Sequence, residues 1–395
     1  MAKLDPKGIS PELRTTFYYF TFYMTSGSAT AYAGIWFQDK GLDSAQIGLM
    51  GSVPVFIMLV LNLVVGRIAD RADDWRQVIV LGAVLGGIVP LALFFAHGFV
   101  AILIVWTLAA IPVAAIGPVA DAAALRMTRR NGTDFGMIRA WGTVGYLAVI
   151  ILTGLIVEHF GGGAFLLFFV GLALLRSALS LQLPRFRAPR EERTLAQGLG
   201  ARRMLEVMKP WFLLPLVGWA MVFATHLILN TFQAVIWKEQ GIPEFTIALL
   251  IGLGAASEAA MMFAFKRFSG RFSARQLILA SALVSILRWV AFGLAPGVPV
   301  LVGLQLLHSV TFALGYMGCV HFIANWTSED IAAEAQSFFQ VLQQAMAVIA
   351  VTAFGWIAGI WHAQAYFASA GFAAVGAALI FSSMRMMQPR AQRPN

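Results

Sequence analysis

The sequence predicts an all-α membrane protein, and two observations lead to that prediction. Apolar residues make up 59% of its 395 residues, charged residues only 12%, and the mean hydropathy is +0.77. A soluble globule with a hydrated surface does not have this composition. Apolar runs of about 20 residues also recur along the chain, which is the length a helix needs to cross the hydrocarbon layer. Such runs are too long for membrane-barrel strands of about ten residues.

Twelve runs have this character, and each is predicted to be one transmembrane helix whose backbone hydrogen bonds are satisfied internally. They cover residues 14–37, 44–69, 76–97, 98–125, 135–158, 163–183, 210–237, 244–266, 274–294, 298–324, 331–360 and 362–385.

The two halves of the chain resemble each other. The segment "IWFQDKGLDSAQIGLM", which begins at Ile35, recurs as "IWKEQGIPEFTIALL" from Ile236. A long polar stretch separates the halves, so the sequence predicts an N-terminal six-helix bundle (1–183), a cytoplasmic linker (184–209) and a C-terminal six-helix bundle (210–395). Two pseudo-symmetric bundles related by a parallel repeat are typical of major facilitator transporters.

The net charge of +9 reflects membrane topology. Most basic residues lie at the termini and in the loops after even-numbered spans. The exceptions are Lys40, Lys238 and three arginines inside the spans. Because basic segments stay on the cytoplasmic side during insertion, we expect a multi-pass protein of the bacterial inner membrane with both termini in the cytoplasm, and no nucleic-acid partner. A lone Cys319 excludes an internal disulfide, and we expect neither a metal site nor a cofactor.

The loop after the second span contains a charged motif. It reads "GRIADRADDWRQ" and places Gly66, Asp70 and Arg71 at the spacing G-x-x-x-D-R, which the major facilitator signature shares. One interpretation is a conformational latch, in which Asp70 pairs with a base or a helix N-terminus. The alternative is a solvated turn that only orients the protein.

Charged residues in the interior of a span are costly, so they mark the default candidate site. In the first half these are Asp121 on span four and Arg139 on span five, at similar depth. Arg139 is expected to be half of a substrate site or half of a structural bridge to Asp121, because a guanidinium binds a carboxylate of either kind. Arg176 on span six is expected to extend toward the membrane surface.

In the second half the candidates are Glu258, Arg288 and His308, together with His226. The rise of about 1.5 Å per residue puts Arg288 and His308 at similar depth, with Glu258 about two turns away. Glu258 is the leading candidate for a proton carrier, with His308 and Asp121 as further coupling candidates. The alternative is a static bridge between Glu258 and Arg288.

Span one carries four of the seven tyrosines and the small polar run "TSGSAT" at 25–30. We expect the small residues to pack against another helix and the tyrosines, Tyr23 among them, to line a cavity and contact substrate.

Several segments resemble the 3-phenylpropionate transporter group of the major facilitator superfamily, and more distantly lactose permease and its oligosaccharide–proton symporter relatives. They are "DFGMIRAWGTVGY", "FQAVIWKEQGI", "ASEAAMMF" and "SARQLILASALVSILRWVAFG". The resemblance implies that Asp121, Arg139 and Glu258 bind substrate and that Arg288 and His308 take part in coupling. Thr311 stands where the permease has its proton-carrying glutamate, so the resemblance leaves the proton to Glu258 or Asp121.

We therefore predict a proton-coupled symporter of a small organic solute, with an aromatic or other monocarboxylate such as 3-phenylpropionate favoured. Three intramembrane arginines against two carboxylates suit an anion. The alternatives are a sugar or nucleoside proton symporter, or an exporter of apolar compounds. An enzyme is not expected, because the sequence lacks the GxxxxGK[ST], HExxH and GxSxG motifs. The expected partners are the solute, protons and the lipid bilayer, with the protein acting as a monomer.

Overall fold

A computed structural model of the chain describes residues 9–71, 74–186, 208–327 and 329–386, and the side chains of 62–71 and 329–334 lie outside this description. Within the described residues, ten segments are long and apolar enough to cross a membrane. The last of these segments, Ala335–Met384, includes parts of two helices. The prediction of a helical, multi-pass membrane protein is confirmed.

The helices of the first half follow the predicted runs closely. They are α1 (Pro11–Asp39), α2 (Ser44–Arg71), α3 (Trp75–Ile88) with a 3₁₀ extension (Val89–Phe94), α4 (Gly98–Asn131), α5 (Phe135–Phe160) and α6 (Gly163–Ser180). Helix α1 is not one of the ten apolar segments, because it contains the polar run and the tyrosines. Ser10 caps its start by accepting a hydrogen bond from the backbone N–H of Leu13 at 3.2 Å.

The second half differs from the prediction at one span. Its helices are α7 (Pro210–Glu239), α8 (Glu244–Ser269), α9 (Ala274–Gly293), α10 (Val298–Leu306), α11 (Gly315–Trp326), α12 (Glu329–Trp361) and α13 (Tyr366–Met384). The predicted span 298–324 consists of α10 and α11 joined by a π-helical turn, Ser309–Leu314. Such turns are frequent at functional sites.

The internal repeat is visible in two equivalent turns. Gly41 follows the end of α1 and Gly241 follows the end of α7, and both adopt a left-handed backbone, with φ of +82° and +78°. In each turn the next residue returns a hydrogen bond to the helix, from Leu42 to Phe37 at 3.1 Å and from Ile242 to Trp237 at 3.0 Å. Glycine suits these positions because it adopts positive φ without steric cost.

The chain divides into two compact units. The first consists of Met1–Arg190 with Trp237–Gly252, and the second of Glu191–Ile236 with Leu253–Asn395. Within the first unit, Lys238 Nζ lies 3.1 Å from Asp39 Oδ1. Both side chains are about one-third exposed, 31% and 38%, so this ion pair stabilises the turn only weakly.

Small residues bring α1 and α5 together, as the sequence predicts for the run at 25–30. A Cβ added to Gly27 would lie 2.8 Å from a methyl of Val149, and one added to Gly145 would lie 2.5 Å from the Phe20 carbonyl. Thr153 donates a hydrogen bond to the buried Ser28 hydroxyl at 3.2 Å. The close approach of the two backbones fixes the positions of the side chains that α1 presents elsewhere.

In the second unit, helices α7 and α13 approach through glycines. A Cβ added to Gly218 or to Gly376 would lie 2.5 Å from the carbonyl oxygen of the other residue. The indoles of Trp219 on α7 and Trp289 on α9 are completely buried. The polar groups described next are therefore enclosed in an apolar, aromatic surrounding.

Candidate functional site

A buried polar network in the second unit is centred on Arg288 of α9. This side chain is 0% exposed. Its Nη1 donates to His308 Nδ1 at 3.1 Å and to Thr311 Oγ1 at 2.9 Å, and its Nη2 donates to Gln305 Oε1 at 2.7 Å. A guanidinium has five N–H donors and no acceptor, so all three partners must accept.

These contacts assign the proton positions on both histidines. His308 Nδ1 accepts from Arg288, so its proton is on Nε2, which lies 3.4 Å from Glu258 Oε2. His226 Nδ1 lies 2.9 Å from the Val222 carbonyl and must donate to it. His226 Nε2 therefore accepts from the Thr311 hydroxyl at 3.0 Å. The assignment follows from the partners of each nitrogen.

The result is a continuous chain of polar groups, which are hydrogen-bonded from His226 to His308 and joined to Glu258 by an ion-pair contact. It runs from His226 through Thr311, Arg288 and His308 to Glu258. In the described structure no ion pair joins Glu258 directly to Arg288; His308 lies between them. The sequence placed Arg288 and His308 at similar depth, and the structure brings them into contact.

Two members of the network were missed from the sequence as binding groups. Gln305 accepts from Arg288, and its amide lies 3.4 Å from Gln233 Oε1. Thr311 was noted only as the substitute for a carboxylate, yet its hydroxyl links His226 to Arg288. Their spacing in the sequence could have identified them. Positions 305, 308 and 311 recur every three residues, so their side chains share one face of a helical segment.

Aromatic rings surround this network. The His226 ring lies 5.0 Å from the Trp289 ring and 5.4 Å from Phe312, and the His308 ring stacks on Phe312 at 5.3 Å. The Arg288 guanidinium lies 5.1 Å from the centroid of Trp289. An apolar surrounding strengthens each hydrogen bond and raises the cost of leaving one partner unpaired.

The first unit arranges its charged groups differently. Asp121 on α4 accepts a hydrogen bond from the Tyr19 hydroxyl at 2.7 Å. Arg139 on α5 places its guanidinium 4.3 Å from the centroid of the Tyr23 ring. Among the described residues no ion pair joins Asp121 to Arg139, so the structure does not contain the bridge that was one interpretation of the sequence. The Tyr19 ring, which holds Asp121, and the Tyr23 ring, which contacts Arg139, lie 6.4 Å apart.

Arg176 on α6 contradicts the expectation that it extends to the membrane surface. Its side chain is 1% exposed. Its Nε and Nη2 are buried with no hydrogen-bond partner among the residues that the structure describes. The reason is local packing: α6 turns this face inward toward α3, where Gly86 leaves room for the guanidinium.

Arg176 lines a cavity of about 280 Å³ inside the first unit. Helix α1 contributes Phe22, Thr25 and Ser26 to the lining. The four tyrosines of α1 are not among the residues lining this cavity, and their contact with substrate stays a prediction. Tyr18, Tyr19 and Tyr32 are instead buried in the helix packing.

The side chains of Gly66, Asp70 and Arg71 lie outside the described residues, although their backbone forms the end of α2. Among the described residues, no group of histidine, cysteine and acidic side chains is arranged to hold a metal ion.

Comparison with known proteins identifies the family of this chain. Residues 13–373 match the family described as MFS_1 like, which covers most of the chain. The chain belongs to this family of major facilitator transporters. A relative in Escherichia coli (strain K12), named "Probable 3-phenylpropionic acid transporter", is 25% identical over 353 residues, 85% of this chain and 88% of the relative. The "Maltose permease" of Geobacillus stearothermophilus is 26% identical over 280 residues, 71% of this chain and 70% of the permease.

Solved structures of transporters share the fold. The nucleoside transporter NupG superposes with a TM-score of 0.82 at 17% identity, over 96% of this chain and 100% of that one. A D-xylose–proton symporter superposes with a TM-score of 0.70 at 12% identity, over 96% and 98% of the two chains. The protein is a multi-pass membrane transporter with the all-α major facilitator fold.

Proposed function

We propose that this transporter is a proton-coupled symporter that imports a small monocarboxylate. The observation that carries the proposal is the chain of polar groups that ends on the carboxylate of Glu258, whose Oε2 lies 3.4 Å from His308 Nε2 in an ion-pair contact. Glu258 is the one acidic member of this otherwise buried network, and its side chain is 26% exposed. We propose that a proton reaches the carboxylate through this exposed face.

The coupling step is a change in the bond between Glu258 and His308. When Glu258 is ionised, it accepts a charge-assisted hydrogen bond from His308 Nε2–H. When Glu258 takes up a proton, the charge that strengthens this bond is lost, so the contact between α8 and the α10–α11 segment weakens. Protonation then changes the relative free energies of the transporter's conformations, which is what coupling requires. The proton leaves Glu258 on the opposite side of the membrane.

The first unit supports the proposed solute class. Arg139 contacts an aromatic ring and forms no ion pair with Asp121 in the described structure, so its fork of donors is free of a fixed carboxylate partner. A carboxylate with an aromatic body satisfies both the guanidinium and the Tyr23 ring. The printed name of the Escherichia coli relative supports the same class. Asp121, His226 and Arg288 are the further residues that we propose for solute binding.

The remaining assignments rest on the sequence. The distribution of basic residues supports cytoplasmic termini in a bacterial inner membrane. Residues 1–183 and 210–395 are proposed as the two bundles, with 184–209 linking them. Gly66, Asp70 and Arg71 are proposed as the conformational latch, and the protein is proposed to act as a monomer.

Uptake into proteoliposomes tests the proposal. With an imposed inward proton gradient, the wild type should accumulate labelled 3-phenylpropionate above equilibrium. Glu258→Gln should abolish accumulation yet retain exchange with preloaded solute, because glutamine mimics the protonated carboxyl group. Glu12→Gln, at the start of α1 and outside the network, is the matched control and should accumulate normally.

Two results contradict the proposal in different ways. Full accumulation by Glu258→Gln removes Glu258 as the proton carrier. Gradient-driven accumulation of maltose or a nucleoside, with no uptake of the carboxylate, replaces the solute class; the maltose permease relative makes the sugar the second candidate.

A further inference from the structure

We infer that the cavity around Arg176 is a binding site for a small aromatic monocarboxylate, held inside the first unit by that guanidinium. The site is separate from Arg139 and Tyr23 and from the network around Arg288. Binding does not depend on the proposed function, since it is measured without a gradient. Only the further step, that the bound carboxylate is the transported solute, rests on that proposal.

The unpaired charge of Arg176 supports this inference. The Arg176 side chain is 1% exposed, and its Nε and Nη2 have no hydrogen-bond partner among the described residues. Nε–H and an Nη2 hydrogen form one edge of the guanidinium, the edge that grips a carboxylate with two parallel bonds. A buried cation without a partner is unfavourable, so a site of this kind calls for an anion.

The composition of the cavity wall also favours an organic anion. No acidic side chain is among the residues described as lining it. Trp106 and Phe169 also line it and stack on each other, with ring centroids 5.5 Å apart and planes 29° from parallel. Together with Phe22, these rings offer a surface for a planar apolar body. The wall thus suits an organic anion and not a metal ion.

The volume of the cavity limits the size of the ligand. The cavity volume of about 280 Å³ lies just below the range of ordinary ligand pockets, about 300–1,000 Å³. It therefore suits a ligand with one ring and a short acid chain. A disaccharide is too large, and an inorganic anion alone would leave the aromatic wall uncovered.

Gly86 on α3 leaves space for the Arg176 guanidinium. A Cβ added to Gly86 on α3 would lie 2.8 Å from Arg176 Nη2 and would also clash with a methyl of Val113. A contact under 3.0 Å forces one of the groups to move. Gly86 therefore leaves room for the guanidinium in this position, and it has no side chain that could act as a hydrogen-bond partner.

Calorimetric titration of the full chain in detergent tests the site, with 3-phenylpropionate as the probe and 3-phenylpropanol as its neutral analogue. The wild type should bind the carboxylate and not the alcohol. Arg176→Met should weaken binding at this site about 10- to 150-fold, since hydrogen bonds to a charged group contribute about 1.5–3 kcal/mol. Arg176→Lys should weaken it about tenfold, because an ammonium cannot present the two-pronged edge. Arg185→Met, the matched control, removes an exposed arginine outside the cavity and should bind within about threefold of wild type, as expected for independent sites.

Folding of the variants is not the limiting issue, because replacing an unpaired buried charge with an apolar side chain of similar length is neutral or stabilising. Gly86→Ala gives a second route, since it keeps the charge and displaces the guanidinium; it should also weaken binding. No binding by the wild type, equal binding of acid and alcohol, or wild-type affinity in Arg176→Met would each overturn the inference. Loss of affinity in Arg139→Met combined with unchanged affinity in Arg176→Met would also overturn it, because the carboxylate would then bind at Arg139 alone. Binding without gradient-driven uptake would support the site and contradict only the transport proposal.

Discussion

The two units differ in the partners that they provide for their intramembrane arginines. In the second unit, Arg288 is held by three acceptors, His308, Thr311 and Gln305. In the first unit, Arg139 lies over a tyrosine ring, and Arg176 leaves two donor atoms without a partner in the described structure. The comparison shows that intramembrane arginines differ in their partners. Arg288 donates to three of the protein's own side chains through Nη1 and Nη2, whereas no comparable set of acceptors surrounds Arg139 or Arg176 among the described residues.

The cause of the difference is the facing helix. Arg288 faces the α10–α11 segment, which presents polar side chains every third residue. Arg176 faces Gly86 and the apolar and aromatic cavity wall. The same guanidinium therefore finds acceptors in one unit and an apolar cavity in the other, and the chemistry of each site is decided by its neighbours.

Replacing each arginine with methionine should give the largest contrast. Arg288→Met leaves three buried acceptors without their donor and should lower the free energy of unfolding by about 3 kcal/mol, because each unsatisfied buried group costs about 1–3 kcal/mol. Arg176→Met should leave stability unchanged or raise it. Thermal unfolding in detergent, without ligand, measures both. Equal losses in the two variants would erase the proposed difference between the units.

Double-mutant cycles should distinguish the pair Glu258 and His308 from the pair Asp121 and Arg139. The pair Glu258→Gln and His308→Ala should show a coupling energy of about 1–2 kcal/mol, as for residues that share a hydrogen bond. The pair Asp121→Asn and Arg139→Gln should be additive within about 0.5 kcal/mol, as for groups without direct contact. Unfolding free energies of the four single and two double variants give both cycles. A strong coupling between Asp121 and Arg139 would reinstate the bridge absent from the described structure.

Thr311 allows the finest test, because its hydroxyl both donates and accepts. Thr311→Val keeps the shape and removes the hydroxyl, so it should cost about 1–2 kcal/mol by leaving His226 Nε2 without a donor. Thr311→Ser retains the hydroxyl and is the matched control, with a smaller loss from the missing methyl group. Thermal stability compares the two. A valine variant as stable as the serine variant would show that the hydroxyl does not connect His226 to Arg288.

The sequence predicted most of the helices and part of the site. The run 135–158 is α5 (Phe135–Phe160), and the run 244–266 is α8 (Glu244–Ser269). The equal depths of Arg288 and His308 also followed from counting residues along the spans. The π-helical turn in span ten, the inward face of Arg176 and the separation of Asp121 from Arg139 did not follow, because each depends on which neighbour a helix face meets.

By itself, the sequence determined where the chain crosses the membrane, because the transfer of apolar residues into hydrocarbon depends on composition and length alone. It also determined the internal repeat, which the matching glycine turns at Gly41 and Gly241 preserve. Only the tertiary structure decided which charged groups are paired. Depth is set by the rise along one helix, whereas pairing is set by the rotation of that helix against its neighbours, and this rotation depends on the close packing of residues such as Gly27, Gly86 and Gly145.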